Sequence, residues 1–227
     1  MDGILNYRKP VGLSSARAVA QVKRLLPRGV KIGHAGTLDP FADGVLLLLV
    51  GKATRQCERL MDKPKQYEAT VKFGATTATD DRESAEIVTA NVAPPSIEAL
   101  REALPHFIGT IQQRPPDFSA MKIAGRRAYD LARKGHDVQL APRPVLVYSI
   151  ELLDYTWPFA RIRIDCGRGT YIRSIARDLG QLLGVGGYLT QLTRTASGDF
   201  TLEQSVTLQM LQADGVEPHL HPLPAMP

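Results

Sequence analysis

Residues 33–55, GHAGTLDPFADGVLLLLVGKATR, contain the change of character that sets the fold: a loop of small residues gives way at Val45 to six aliphatic residues in a row. The many small residues of the loop let a ligand approach the backbone closely. Val45 to Val50 shows no alternation, which predicts a strand buried on both faces. Upstream, Ile4 to Tyr7 reads as a short strand. Ser14 or Ser15 caps a helix through Ala16, Val19, Val22, Leu25 and Leu26, ended by Pro27 and Gly29. Downstream, Tyr67, Ala69, Val71 and Phe73 alternate with Gln66, Glu68, Thr70 and Lys72, the pattern of a half-buried strand. Thr76 to Ser84 is a polar acidic loop, and Ser96 caps a helix to about Pro105. Ile108 to Arg127 has little periodicity and predicts a long ordered or ligand-ordered loop, a kind of segment that is usually functional or disordered. Val145 to Leu153 and Ala160 to Cys166 pair as strands around Trp157 and Pro158. Ile172, Ile175, Ala176, Leu179, Leu182 and Leu183 form one helical stripe that stops at Gly184. Strands and helices are interspersed without strict alternation, so the predicted class is α+β, with a mixed, mainly antiparallel central sheet and flanking helices.

The chain has 227 residues, 44% hydrophobic and 22% charged, the balance of a globular protein with a sizeable core. It is expected to form a single catalytic domain over residues 1–227. Cys57 and Cys166 are too far apart for a zinc-ligand spacing and make no disulfide framework, which suits a reducing, cytoplasmic setting. MDGILNYRKPVGLSS lacks an apolar signal core, and no aliphatic run approaches the ~20 residues of a membrane span. Charge is uneven: residues 1–66 carry 12 Lys and Arg against five Asp and Glu, although the whole chain is only +5. Arg114, Lys122, Arg126, Arg127, Arg133 and Lys134 form a second basic cluster around Tyr129. Such clusters track phosphates, or else are solvated faces.

Gly44 to Lys52 ends in Gly-Lys but lacks both the glycine spacing and the Ser/Thr of a phosphate-binding P-loop. His34 has no second His or Cys nearby, so no metal is expected. Asp39 precedes a proline, which biases it toward a turn. It reads as a turn aspartate, or, with Asp43 four residues on, as half of a carboxylate pair for glycosidic chemistry. Spacing leaves both open.

Six segments in order resemble the TruB family of tRNA pseudouridine synthases: KPVGLSS at 9–15, GHAGTLDPFADGVLLLLVGKATR at 33–55, KQYEATVKFG at 65–74, RPPDFSAMKIAGRRAYDLARKG at 114–135, CGRGTYIRSIARDLG at 166–180 and YLTQLTRTASGDF at 188–200. The resemblance implies the pseudouridine synthase catalytic fold and an isomerase that needs no cofactor. It implies tRNA as partner, through its T-arm stem-loop, with the uridine at position 55 flipped out as the target. Asp39 matches the catalytic aspartate, Arg173 the cation that keeps it ionised, and Tyr67 the tyrosine packed on the target base. His34 matches the residue that fills the gap left by the flipped base, and Asp81 one that contacts the flipped nucleotides. Tyr171 and Leu192 match the uracil pocket. Arg126 and Arg127 lie in the segment, expected within 108–135, that clamps the stem-loop. A monomer is implied. Asp43 stands where Thr is usual and Leu47 where Pro is common. The small carboxy-terminal RNA-binding domain of the PUA type is not expected. The competing readings are a non-catalytic tRNA-binding or folding module, and a hydrolase that releases free uracil.

Overall fold

The computed structural model describes residues 1–119, 122–123, 126–127 and 140–223, the two short pieces by their backbone only. In chain order the elements are β1 (Gly3–Lys9), α1 (Ser15–Lys23), β2 (Ile32–His34), β3 (Asp43–Val50), α2 (Cys57–Met61), β4 (Lys65–Phe73), β5 (Ala75–Thr77), β6 (Glu86–Val88), α3 (Ile97–Ala103), β7 (Gly109–Gln113), β8 (Lys122–Ile123), β9 (Arg126–Arg127), β10 (Arg143–Thr156), β11 (Phe159–Cys166), α4 (Ile172–Leu182), β12 (Gly187–Ser197), β13 (Phe200–Thr201), α5 (Leu208–Asp214) and β14 (Leu220–His221). The class is α+β with a mixed, mainly antiparallel sheet, as the interspersed pattern predicts. The chain forms two compact units, Met1–Glu68 with Leu192–Pro227, and Ala69–Gln191. Strands β4 and β12 contribute residues to both.

In the first unit β3 is the central strand. One of its edges pairs antiparallel with β1, from Gly3 opposite Val50 to Lys9 opposite Gly44. Its other edge is divided: β12 pairs parallel at Asp43 and Gly44, and β2 pairs antiparallel at Leu48 to Val50. The loop between β2 and β3 therefore leaves and re-enters the same edge. Every side chain from Val45 to Val50 is at most 1% exposed. Val45, Leu47 and Leu49 pack with Ile4, Ala53 and Leu60 on one face, and Leu46, Leu48 and Val50 are buried on the other, which accounts for the unbroken aliphatic run. Gly44 has φ +102°, and a Cβ there would lie 2.3 Å from the Arg194 carbonyl oxygen, so β12 can approach only a glycine.

In the second unit β10 and β11 form a long antiparallel hairpin closed at Trp157 and Pro158, whose peptide bond is cis. Strand β7 pairs with β10 from Gly109 opposite Val147 to Gln113 opposite Arg143. This corrects the expectation of a loop from Ile108 onward. Gly109–Gln113 is a half-exposed edge strand of mostly polar residues, so it carries no apolar signal to read. Of the remaining expected clamp, β8 pairs with β9; residues 120–121, 124–125 and 128–139 lie outside the described residues. Helix α4 buries Ile172, Ile175, Ala176 and Leu179 of the predicted stripe, and with them Arg173 and Ser174, whereas Leu182, at the end of the helix, is 52% exposed and Leu183 is only half-buried. Among the described residues no helix is long and apolar enough to cross a membrane.

Candidate active site

Asp39 is half-buried on a turn held at each neighbouring residue. Ser15, at the start of α1, donates its hydroxyl to the Leu38 carbonyl at 2.9 Å and accepts from the Leu38 amide at 2.8 Å. The Gly12 amide donates to the Pro40 carbonyl at 2.7 Å, and the Ala42 amide donates to the carbonyl of Asp39 at 3.2 Å. Lys9, fully buried, donates its ammonium to the carbonyls of Pro10 and Leu13, closing the turn that carries Gly12. The KPVGLSS segment thus acts as a brace for the Asp39 turn. A carboxylate fixed on such a turn is preorganised, which is what attack on a sugar carbon or removal of a proton requires. Asp43 is differently placed. One of its oxygens accepts from the Thr193 hydroxyl at 2.6 Å, so it serves as a tie between β3 and β12. That removes the support for a free carboxylate pair.

Tyr67 is buried at 8% exposure on the inward face of β4, where the alternation puts it. Arg194 stands at its hydroxyl. This side chain is 1% exposed; its Nη1 lies 3.5 Å from Tyr67 Oη, its Nε donates to Val45 O at 2.6 Å and its Nη2 to Gly36 O at 3.2 Å. One guanidinium therefore joins Tyr67 to both ends of the loop that bears Asp39. Among the described residues no carboxylate pairs with it. Leu192, 6% exposed, lies two residues before Arg194 on the same face of β12. His34 ends β2, and burial, with Arg194 adding to it, holds its imidazole below the ordinary value. A neutral ring at pH 7 suits stacking better than an imidazolium. Arg194 was not singled out from the sequence. The available signal was a charge on the inward parity of a strand, two places from Leu192.

In the second unit Arg173 is 4% exposed, not a helix-surface arginine. It donates to Thr79 O at 2.9 Å and to Phe118 O at 3.0 Å, and pairs with Asp81 at 3.4 Å. The pairing with Asp81 was not expected from the sequence. Asp81, 1% exposed, also accepts from the Thr79 hydroxyl and the Glu83 amide, so it is the hub of the acidic turn. Its neighbour Asp80 meets Arg177 at 3.0 Å. Burial pushes the Asp80 carboxyl up to about 6, although Arg177 and Arg173 pull it down. Ser174 and Arg177 both donate to the Arg114 carbonyl, so α4 anchors the chain where it enters the expected clamp. Tyr171 caps α4: its amide donates to Gln113 Oε1 at 2.8 Å, its carbonyl accepts from Gln113 Nε2, and Arg143 stacks 5.2 Å from its ring. Arg126 and Arg127 form β9, and their side chains lie outside the described residues. The geometry thus groups Asp39, His34, Tyr67 and Leu192 in one unit, and Arg173, Asp81 and Tyr171 in the other.

Residues 23–172 match the model of the TruB family pseudouridylate synthase N-terminal domain, and residues 173–221 that of the tRNA pseudouridylate synthase B C-terminal domain. The chain is 47% identical over 213 residues to a protein of Aromatoleum aromaticum named tRNA pseudouridine synthase B, covering 94% of this chain and 68% of that one. It is 44% identical over 228 residues to the Nostoc sp. protein of the same name, covering 99% and 77%. Among solved structures, a chain of a Cbf5-Nop10-Gar1 complex superposes with a TM-score of 0.71 at 30% identity, covering 96% of this chain and 57% of that chain.

Proposed function

The chain belongs to the TruB family of pseudouridylate synthases, and from that membership we propose that it isomerises the T-loop uridine at position 55 of tRNA to pseudouridine, as a cytoplasmic monomer. The reaction breaks the N1–C1′ bond, turns the uracil and forms a C5–C1′ bond; C5 loses a proton and N1 gains one. Nothing is oxidised and no group enters, so no cofactor is needed. The base must leave its stack to be reached, at a cost of a few kcal/mol. His34 fills the gap, Tyr171 and Leu192 line the uracil pocket, and Asp81 contacts the flipped nucleotides.

Asp39, ionised, acts at the sugar as nucleophile or as base toward a glycal. Arg173 supplies the positive charge that keeps it ionised. Tyr67 packs on the uracil and receives the C5 proton. The segment within 108–135, with Arg126 and Arg127 on the phosphates, closes over the stem-loop.

The observation that supports this reading most is the bracing of Asp39 at Leu38 and Pro40 by the segment from Lys9 to Ser15. An ordinary turn aspartate has no need of it. The test is incubation with an unmodified T-arm stem-loop, followed by carbodiimide-dependent reverse-transcription stops. A single stop at the position of uridine 55 is expected. Stops at other uridines alone would refute the choice of target.

A further inference from the structure

We propose that Arg194 is a positioning residue for the second half of the reaction: it holds Tyr67 as a phenolate, ready to take the proton from C5 of the turned uracil. The inference deepens the reading above and rests on it. It starts from a charge that is hard to explain as structure alone. Arg194 is 1% exposed, and its guanidinium meets two carbonyl oxygens and the Tyr67 hydroxyl oxygen. A buried cation with no pairing carboxylate among the described residues favours ionisation of any acid beside it. The acid beside it is the phenol, with Nη1 at 3.5 Å from Oη, long for a hydrogen bond and close for a charge.

The guanidinium is also held in place before any substrate arrives. Nε and Nη2 point at the Val45 and Gly36 carbonyls, which are the two ends of the loop bearing Asp39, and Gly44 is the only residue type that lets β12 lie close enough. Such a fixed donor costs no reorganisation when negative charge is needed at Oη. The step then balances. Once C5 has joined C1′, the C5–H bond breaks, its electron pair restores the conjugation of the ring, and the proton passes to the Tyr67 phenolate oxygen. N1 takes a proton from solvent, and Tyr67 returns its own to solvent. Asp39 has no part in this step, so Arg194 and Asp39 act on different bonds.

The test separates those bonds. Single-turnover rates are measured on T-arm stem-loops carrying uridine, 5-deuterouridine or 5-fluorouridine at the target, for wild type, Arg194→Lys, Arg194→Gln and Tyr67→Phe, with circular dichroism as a check on folding. For uridine, Arg194→Gln is expected to lose on the order of 10²-fold, the scale of one fixed electrostatic donor. Its deuterium effect should rise above that of wild type, because C5–H cleavage has become limiting. Cleavage and rejoining of 5-fluorouridine, which has no C5 hydrogen to lose, should keep the wild-type rate. Arg194→Lys, which keeps the charge, should show the same pattern in milder form and carries the test if Arg194→Gln does not fold. Equal slowing of all three substrates without a larger isotope effect would make Arg194 a purely structural brace and overturn the inference. If wild type itself makes no pseudouridine from uridine, the functional reading falls and the inference falls with it; a wild type that works beside an Arg194→Gln of unchanged rate removes the inference alone.

Discussion

Arg173 on α4 needs its planar fork as much as its charge. It reaches two carbonyls, Thr79 O and Phe118 O, and the Asp81 carboxylate from a site only 4% exposed. An ammonium is a compact, strongly hydrated point that cannot serve all three. Breaking a buried pair typically costs about 3–5 kcal/mol, and lysine would recover only part of that. Arg173→Lys is therefore expected to lower both the melting temperature and the single-turnover rate on a T-arm substrate, despite the retained charge. A wild-type rate in that variant would remove Arg173 from the mechanism. Asp80 offers a second residue-scale test. Its carboxyl is raised from 3.8 to about 6 in the folded state, chiefly by burial. Between those values the native state holds a proton that the unfolded chain has released, so stability is greatest below pH ~4 and declines as pH rises to ~6. A rise of ~2 units corresponds to about 3 kcal/mol. Asp80 has φ +57°, a conformation that asparagine also tolerates, so Asp80→Asn removes the titration with little backbone penalty. Urea unfolding from pH 4 to 7 should show wild type losing stability relative to Asp80→Asn across that window. A difference that does not vary with pH would mean that Asp80 titrates normally.

At the scale of elements, the joint between α1 and the Asp39 turn is carried by one hydroxyl. Ser15→Ala leaves both the Leu38 amide and carbonyl without their partner in a buried setting. Each stranded group costs about 1–3 kcal/mol. The variant should unfold at lower urea and, through a loosened turn, react more slowly than it binds; unchanged stability and rate would mean that the brace is dispensable. The strength of such elements tracks how legible they were. Strand β3 was evident from its aliphatic run, β4 from its alternation and α4 from its stripe, because each buries a continuous apolar face. Ser14 was readable as a cap, and it accepts from the Arg17 amide at 3.3 Å. Strand β7 was not legible, since an edge strand of Gly, Thr and Gln advertises no core. Asp39, Tyr67 and Arg173 were reached through the ordered motifs rather than through periodicity. Arg194, Lys9 and the Arg173 to Asp81 pair were missed because a buried cation is recognised by the carbonyls and acids around it, which lie far away in sequence.

Over the whole molecule, the excess of positive charge in residues 1–66 and the basic segment from Arg114 predict binding driven by phosphate contacts. Affinity for tRNA should fall linearly in log K against log salt, and Arg126→Ala with Arg127→Ala should flatten that slope by up to about two units. An unchanged slope would make that pair a solvated face. The proposed reaction places the chemistry on Asp39 and keeps the product within the same RNA. The most direct test incubates full-length unmodified tRNA with wild type and with Asp39→Asn, then digests the RNA and counts pseudouridine, uridine and free uracil, with binding measured alongside. One pseudouridine per tRNA at position 55 and no free uracil are predicted for wild type. No product is predicted for Asp39→Asn, with affinity held within about tenfold, or ~1.4 kcal/mol. Release of free uracil by wild type, or substantial pseudouridine from Asp39→Asn, would contradict it.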